Sequence, residues 1–259
     1  MFSIKRYINY TRSLLRNLGI YFGLEKYKHR VNKKIYNQYQ GIIRYGIFKG
    51  YQLPKQTWWG HFDIASKIFG LYEKAVLDEL AASGKVDLFI DIGAADGYYA
   101  LGMLHSGLAD NVICYEKSVL GRKIILESAT INSFTNRIEV LGEANLDSLK
   151  SLQSESKKAI LLMDVEGFEY ALLNKTLLQQ FSNYKLIVEL HPFTEELNIA
   201  NANLISRCES IFNVRLIQDN IRNTNNLNDL NILSNDERAL IMSEGRVNQM
   251  TWLVAEPKV

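Results

Sequence analysis

Residues 86–99 read VDLFIDIGAADGYY, an apolar run that ends in Asp91 and continues into glycines at positions 93 and 97. A short apolar run is typical of a buried strand, and glycines directly after it are typical of a tight turn. A strand–turn–helix crossing therefore accounts for Gly93 and Gly97. The acid at the strand end suggests that a cationic or hydroxyl-rich group lies across the turn, because a buried carboxylate needs a partner.

The composition of the whole chain is that of an ordinary globular protein, with 259 residues, 47% hydrophobic and 22% charged. Cys114 and Cys208 lie in apolar segments without metal-ligand spacing, which predicts reduced, packed thiols in a reducing compartment. No apolar run reaches the roughly 18 residues of a membrane span. Arg12 and Arg16 interrupt the N-terminal segment where a signal peptide needs an apolar core, so we predict a cytoplasmic protein.

Charge is distributed unevenly along the chain. Residues 1–50 contain 11 Lys and Arg but a single acid, Glu25, and so carry +10. Because the net charge of the chain is +2, the remainder carries −8. A basic head on an acidic body suggests that the head faces an anionic surface.

Residues 2–24 have the pattern of an amphipathic helix. Its apolar positions near one face are Ile4, Ile8, Leu15 and Leu18, and the basic residues largely off that face are Lys5, Arg12 and Arg16. Three interpretations remain open: a helix packed on the body, a solvated arm, or a helix lying on anionic lipid. The third would place the protein at the inner face of the membrane as a peripheral protein.

From residue 86 onward, short apolar runs alternate with helical stretches, which predicts a parallel sheet covered on both faces. The predicted strands are 86–91, 112–116, 138–141, 159–164, 186–190, 214–218 and 250–255. Helices are predicted at 65–82 and from near residues 98, 119, 146, 170, 195 and 236, with a loop in the Asn-rich segment 220–231. The fold class is thus a three-layer α/β sandwich with an antiparallel last strand. We predict an N-terminal extension over residues 1–64 and one domain over 65–259.

In such a sheet, ligands bind at the carboxyl ends of the strands. The D-x-G-x-x-x-G spacing of Asp91, Gly93 and Gly97 differs from the dinucleotide fingerprint G-x-G-x-x-G, and a carboxylate there would repel a pyrophosphate. This argues against a nicotinamide-dependent oxidoreductase. The acid suits an ammonium group, such as that in the methionine part of S-adenosylmethionine.

Acids also follow the next two predicted strands. Glu116 ends the second strand, where a carboxylate can accept both hydroxyls of a ribose. Glu143 and Ala144 follow the third strand, where an adenine edge would be contacted, although Glu143 could equally be a charge at a helix N-terminus.

Four segments, DIGAADGYYA, CYEKS, ILLMDVEGFEYALL and LIVELHPF, resemble the FkbM family of class I S-adenosylmethionine-dependent methyltransferases. The resemblance covers residues 71–190, with MTWLVAEP as a continuation and Ala95-Asp96 as a departure from the usual Asn-aliphatic pair. It implies a Rossmann-like seven-stranded sheet, S-adenosylmethionine as cofactor, and enzymes that commonly modify hydroxyls of sugars or polyketides. The Tyr72-Glu73 pair matches one that precedes the first strand in this family and faces the cofactor. Within the glycine turn, Ala94 and Tyr98 are assigned to the same site.

The block Asp164-Val165-Glu166-Gly167-Phe168-Glu169 ends the fourth strand, where the methyl group and its acceptor should meet. Such a group of acids is costly to bury unless the charges are paired, hydrogen-bonded or bound to a metal. Alternatively, Glu166 and Glu169 only start the next helix. We assign Asp164 to catalysis and to the cofactor, and Glu166 to the substrate.

The fifth strand ends in ELHPF, in which Glu189 and His191 point to the same side. His191 is the predicted general base, because its ordinary pKa lies near neutrality. It could also only hydrogen-bond a neighbouring loop. Asp164, Glu189 and His191 could instead hold Mg²⁺ or another divalent ion, although no metal is expected.

The segment KQTWWGHFD, before the predicted domain, contains Trp58, Trp59, His61 and Phe62. These side chains could form a lid whose aromatic faces suit a sugar, and we assign Trp58, Trp59 and His61 to substrate binding. A hydrophobic plug that docks the extension is the alternative.

Taken together, the sequence predicts an O-methyltransferase for a hydroxyl of a glycan, a polysaccharide or a glycolipid-linked saccharide. Alternatives are an N-methyltransferase for a phosphorylated or nucleic-acid amine, and a non-catalytic S-adenosylmethionine-binding module that docks a membrane or a partner. A nucleic-acid partner is disfavoured, because the fourth strand ends in DVEG and lacks the Asn/Asp-Pro-Pro-aromatic turn that would face an exocyclic amine.

Overall fold

The computed structural model describes residues 23–59, 62–152, 158–191, 194–218, 222, 224, 226–242 and 250–258. The predicted amphipathic helix over residues 2–24, apart from its last two residues, and the predicted site residue His61 lie outside the described residues.

The described residues form a seven-stranded sheet with the order β3-β2-β1-β4-β5-β7-β6. Its strands are β1 Val86–Ile92, β2 Ala109–Tyr115, β3 Ile138–Leu141, β4 Ala159–Met163, β5 Lys185–Leu190, β6 Phe212–Gln218 and β7 Thr251–Pro257. Strands β1 to β5 pair in parallel, and β7 runs antiparallel to both β5 and β6. The predicted fold class, including the antiparallel last strand, is confirmed.

Helices cover the two faces of the sheet. Helix α1 extends from the first described residue, 23, to residue 39. The others are α2 Ile64–Ile68, α3 Lys74–Ser83, α4 Tyr98–His105, α5 Val119–Ile131, α6 Leu146–Lys150, α7 Glu169–Leu172, α8 Lys175–Gln180, α9 Glu195–Glu209 and α10 Asn235–Met242, with a 3₁₀ turn over Asn228–Ile232. The predicted helix starts agree to within one residue. The sequence did not predict α1 beyond residue 24, α8, or the 3₁₀ turn, which overlaps the end of the predicted Asn-rich loop.

The helix predicted over residues 65–82 is wrong as a single element. The helix is interrupted between α2 and α3, where Gly70 adopts φ +65° and Glu73 adopts φ +42°. A Cβ at position 70 would lie 2.3 Å from the carbonyl oxygen of Tyr45. The turn is therefore set by close contact with a distant segment, which helical periodicity cannot show.

The hydrophobic core includes residues from the predicted extension. Ile35, Ile43, Phe48 and Tyr51 are at most 1% exposed and belong to the same cluster as residues of β1 and α4. A Cβ on Gly102 of α4 would lie 2.5 Å from the Phe48 ring, so this packing leaves no free space. The boundary between residues 64 and 65 stays a prediction, and apolar contacts run across it.

The two cysteines are buried and form no disulfide, as the sequence predicts. None of the helices in the described part of the chain is both long and apolar enough to cross a membrane.

Candidate functional site

A cleft of about 980 Å³ opens at the carboxyl ends of the central strands. The sheet register creates it: Ile92 of β1 pairs with Tyr115 of β2 on one side and with Met163 of β4 on the other. The residues that follow these three strands therefore meet at one edge. The volume is at the upper end of the range for small-molecule sites, roughly 300–1,000 Å³.

Most of the predicted site residues line this cleft. They are Trp58, Trp59, Tyr72, Asp91, Gly93, Ala94, Tyr98, Glu116, Glu143, Ala144, Asp164 and Glu166. Four others, Glu73, Gly97, Glu189 and His191, do not line it.

The turn between β1 and α4 requires glycine. Gly93 adopts φ +92°, and a Cβ there would lie 1.8 Å from the carbonyl oxygen of Asp164. Gly97 adopts φ +79° as the residue before α4, and a Cβ there would meet Ile125 at 3.1 Å. The backbone thus turns tightly between two strands and leaves an open cradle facing the cleft.

Asp91 is a buried acid with unused hydrogen-bonding capacity. Its side chain is 1% exposed, Oδ2 accepts a hydrogen bond from the Ala100 backbone N–H at 3.1 Å, and Oδ1 has no hydrogen-bond partner among the described residues. Burial raises the pKa of Asp91 to about 7, with further contributions from the charges of Glu116 and Glu73 and opposition from the Ala100 hydrogen bond. A cation at Oδ1 would satisfy this oxygen and favour the ionised form.

Glu116, directly after β2, is held by two backbone donors. Its Oε2 accepts from Ala95 N at 2.8 Å, and Oε1 accepts from Ser118 N at 2.6 Å. Burial raises the pKa of Glu116, while these two hydrogen bonds lower it. The carboxylate is therefore fixed against the glycine turn, and each oxygen retains acceptor capacity for a hydroxyl.

The end of the cleft beyond β3 is more exposed. Glu143 forms an ion pair with Lys117 at 2.8 Å, and both side chains are mostly solvent-accessible. Ala144 is half-buried, and Asn145 caps α6 by accepting from the Asp147 and Ser148 N–H groups. Glu143 lies two residues before that cap, and the acid in the first turn of α6 is Asp147.

The turn after β4 carries backbone strain beside the cleft. Glu166 adopts φ +55°, which is uncommon for a residue with a side chain, and Gly167 follows at φ +97°. Glu169 holds this turn, because its Oε1 accepts from Val165 N at 3.1 Å and from Gly167 N at 3.2 Å. Glu169 is thus more than a helix-starting charge: it is 1% exposed and fixes the loop that presents Asp164 and Glu166.

His191 lies behind this turn among four carboxylates. Its Nδ1 is 2.9 Å from Glu169 Oε1, and its Nε2 is 3.5 Å from both Asp164 Oδ1 and Glu166 Oε2 and 3.7 Å from Glu189 Oε2. Burial lowers the pKa of His191, but the Glu169 hydrogen bond and the surrounding charges outweigh burial and raise the pKa above its usual value. The arrangement favours an imidazolium that compensates the buried acids.

Asp164 connects this cluster with the cleft. Its side chain is 28% exposed, and Asp164 lines the cleft that His191 does not line. Its pKa is raised to about 8, first by burial and then by the charge of Glu73, while a hydrogen bond with Glu189 opposes the shift. Glu73 itself is buried and accepts a hydrogen bond from the Tyr99 hydroxyl.

Three of the residues just described also offer a candidate metal-ligand set. One ligand atom each from Asp164, Glu169 and His191 lie within 4.8 Å of one another. The set overlaps the predicted one, with Glu169 in the place of Glu189. Metal binding requires a neutral imidazole, so a metal ion would compete with protonation of His191. Addition of EDTA in an assay tests the metal prediction.

Five charged or amide side chains of the cleft were not assigned to the site from the sequence: Lys67, Asp96, Lys117, Asn145 and Asp147. Lys67 lines the cleft from α2, and Asp96 lines it from the glycine turn. Lys67 lies within the helix predicted over residues 65–82, where the sequence suggests only a solvent-exposed charge. Asp96 occupies the position that departs from the FkbM family pattern, and this departure could have drawn attention to Asp96 as a residue of the site.

Asp96 joins the segment before the domain to the glycine turn. Its Oδ1 accepts from Trp58 N at 3.1 Å, and its Oδ2 accepts from the Thr57 hydroxyl. The Trp58 indole N–H donates to Ala95 O at 3.2 Å, and a Cβ on Gly121 would lie 2.4 Å from that indole nitrogen. Trp58 is therefore a fixed wall of the cleft, whereas Trp59 is 50% exposed.

An S-adenosyl donor fits the residues of this cleft on two observations. The glycine turn, residues 93–96, forms a cradle in the wall of the cleft, and Asp91 Oδ1 is a buried acceptor without a partner among the described residues that an ammonium group would satisfy. Glu116 presents a fixed carboxylate at the neighbouring strand, where a ribose would lie.

No family model matches the chain, and no curated protein matches it. Similar solved structures include the S-adenosylhomocysteine-bound methyltransferase PaMTH1 of Podospora anserina, with 14% identity over 77% of this chain and 82% of that chain and a TM-score of 0.47. The C-terminal domain of precorrin-6Y C5,15-methyltransferase from Rhodobacter capsulatus has 12% identity over 70% and 85%, with a TM-score of 0.45. The tRNA methyltransferase TrmK of B. subtilis has 14% identity over 70% and 64%, with a TM-score of 0.43. At these levels the similarity assigns no activity to this chain, and membership of the FkbM family stays a prediction.

Proposed function

We propose that this protein is an S-adenosylmethionine-dependent O-methyltransferase that acts on a hydroxyl of a saccharide. The observation that carries the proposal is the cradle at the end of β1, where the Gly93 turn lines the same cleft as Asp91, whose Oδ1 has no partner in the described part of the chain. A zwitterionic, cationic methyl donor complements both features. A dinucleotide would bring its pyrophosphate against this carboxylate.

When bound, S-adenosylmethionine supplies a methyl group on a sulfonium, and transfer to a hydroxyl oxygen breaks the carbon–sulfur bond and releases the hydroxyl proton. Among the carboxylates that line the cleft, we assign Asp164 as the group that accepts that proton. Its raised pKa makes it a stronger base than an ordinary carboxylate. A nearby cationic donor favours the ionised form, which is the form that accepts a proton.

In this arrangement His191 acts through Asp164. The two side chains are 3.5 Å apart, and His191 does not line the cleft. We infer that His191 positions Asp164 and Glu166 and compensates their charge, while the simpler prediction of His191 as the general base remains to be tested. Glu189, 3.7 Å from the same ring nitrogen, belongs to this supporting group.

Aromatic surface at the cleft supports a sugar as acceptor. Trp58, Trp59 and Phe168 line it, and Phe168 and Trp59 are at least half exposed. Rings of this kind pack against the C–H faces of sugars, while the neighbouring carboxylates accept hydrogen bonds from hydroxyls. The FkbM resemblance favours the same substrate class.

A lipid-linked saccharide is the form of acceptor that the basic head favours, and contact with an anionic membrane surface would place the protein at the inner face of the membrane. Liposome flotation with and without residues 1–24 tests this part of the proposal. Equal flotation of both forms would remove the membrane contact and leave the reaction class untouched.

The reaction is tested with labelled S-adenosylmethionine and extracts of the host's glycolipids and polysaccharides, followed by mass spectrometry of the labelled product. We expect the label as a methyl ether on a sugar. Binding of the donor without any product would favour the non-catalytic module. A labelled amine would favour the N-methyltransferase.

To distinguish the roles of Asp164 and His191, kcat and its pH profile are measured for the variants Asp164→Asn and His191→Ala in the same assay. Asp164→Asn should lower kcat by 10²- to 10⁴-fold, the usual contribution of a positioned base. His191→Ala should change the pH profile of kcat through its effect on Asp164. An unchanged rate in both variants would remove these assignments.

A further inference from the structure

A lysine in the described cleft stands out against its acidic surroundings. Acidic side chains of Asp91, Asp96, Glu116, Glu143, Asp147, Asp164 and Glu166 line the cleft, but only two lysines line it within the described residues. One of them, Lys117, is paired with Glu143 at the exposed end beyond β3. The other, Lys67, lies in α2, and its ammonium is next to Tyr98 at the start of α4.

The position of Lys67 is fixed by three neighbours. Its Nζ donates to Asp63 Oδ2 at 3.2 Å, one helical turn away, and lies 4.5 Å from the ring centre of Tyr72 and 5.3 Å from that of Tyr98. The two rings pack edge to face at 5.5 Å, and the lysine side chain is 14% exposed. The aromatic faces attract the ammonium, and two of its three N–H donors remain for another acceptor.

This ammonium lies beside the cradle described above. Tyr98 is the first residue of α4 and directly follows Gly97, and the same first turn contains Ala100, whose N–H is bound by Asp91. The start of α4 thus lies next to a lysine ammonium and to a carboxylate oxygen that has no partner among the described residues. An amino-acid group has its carboxylate and its ammonium on one carbon, so its two charges need complementary charges that are close together.

We propose that Lys67 binds the carboxylate of the methyl donor's amino-acid part, while Asp91 binds its ammonium. The inference rests on the proposed function and adds a binding residue to it. An anionic acceptor bound at Lys67 is the competing possibility. The geometry favours the donor, because Lys67 packs on Tyr98, which directly follows the glycine turn that would hold the donor.

The test compares two ligands that differ only in the carboxylate, S-adenosylmethionine and its decarboxylated analogue. Their dissociation constants are measured by calorimetry for the parent protein, Lys67→Met and Lys67→Arg. Methionine keeps the length and the packing against the rings but removes the charge. We expect Lys67→Met to weaken the binding of S-adenosylmethionine at least about tenfold and to change the affinity for the analogue by less than about threefold. Lys67→Arg should retain most of the affinity for both ligands.

Lys117→Met is the matched control, because it removes the other lysine of the cleft at a distance from the glycine turn. Any loss there should be equal for both ligands. An equal loss for both ligands in Lys67→Met would overturn the proposal, since it would indicate a structural role. Unchanged donor binding with a raised acceptor KM would overturn it in favour of an acceptor anion. If the parent protein binds neither ligand, the proposed function itself is wrong. A failure of the Lys67 proposal alone is recognised because the parent protein still binds S-adenosylmethionine.

Discussion

At the scale of single residues, Asp91 illustrates a conflict between stability and binding. A carboxyl group whose pKa in the folded protein, about 7, lies above its ordinary value of 3.8 destabilises the fold whenever it is ionised. This cost is fully present above pH 7 and disappears below the unfolded value. Under the proposed function, Asp91 is needed despite this loss of stability, because its ionised form binds the donor.

Asp91→Asn should therefore stabilise the ligand-free protein and weaken donor binding. The shape and the acceptor for the Ala100 N–H are kept, while the buried charge is removed. We expect a gain in unfolding free energy of up to about 4 kcal/mol at pH 8 and a smaller gain at pH 5, with at least tenfold weaker S-adenosylmethionine binding. Denaturant melts at the two pH values check this. Asp110→Asn, on an exposed acid of β2 that pairs with Lys85, should give no such gain.

The pH dependence of donor binding follows from the same group. Below pH 7 the carboxyl must lose its proton before it can hold a cation, so affinity should rise with pH and level off above 7. Between pH 6 and pH 8 we expect about a tenfold gain in affinity from this group. Calorimetry in buffers with different ionisation enthalpies should detect proton release near pH 7. The same slope in Asp91→Asn would show that another group is responsible.

At the scale of elements, the turn between β1 and α4 can be tested with paired glycine substitutions. Gly93→Ala places a Cβ against the Asp164 carbonyl, and we expect loss of donor binding and a large loss of stability. Gly107→Ala meets the same conformational restriction, at φ +70°, but its Cβ would point into open space. This control should cost only about 1–2 kcal/mol and retain binding. Thermal melts and donor titrations of both variants distinguish close approach from backbone strain.

The elements themselves were largely predictable because their cause is local. The strand β3 was predicted with its exact bounds, and β1 and β4 differ by one residue, since short apolar runs between turns define them. The helix over residues 65–82 was wrong because its break depends on Tyr45, more than twenty residues away. Contacts between distant segments leave no trace in periodicity.

The site was predictable to the extent that it follows from strand ends. Asp91, Glu116 and Asp164 meet in one cleft because parallel strands end at one edge of the sheet. Lys67 and Asp96 could not be assigned, since their positions depend on the broken helix and on the packing of residue 58. The location of His191 behind Asp164 likewise depends on the fold of the turn after β4.

At the scale of the whole molecule, the packing of residues 31–53 predicts the outcome of truncation. Removing residues 1–64 deletes Ile35, Ile43, Phe48 and Tyr51 from the core, each of which contributes about 1.5–3 kcal/mol by burial. We expect this truncation to abolish cooperative unfolding in circular dichroism. A truncation of residues 1–22 keeps all four contacts and is the control. Cooperative melting of the shorter protein would show that the remaining domain is self-sufficient.

The surplus of acids over lysines around the cleft also bears on what happens after reaction. Under the proposed chemistry, the incoming molecule carries a sulfonium that becomes a neutral thioether once the methyl group has left. The surrounding field of carboxylates, which attracts the charged form, then has one positive charge fewer to act on. The reaction itself would thereby weaken the hold on the spent molecule, and a fresh donor could displace it without any moving gate.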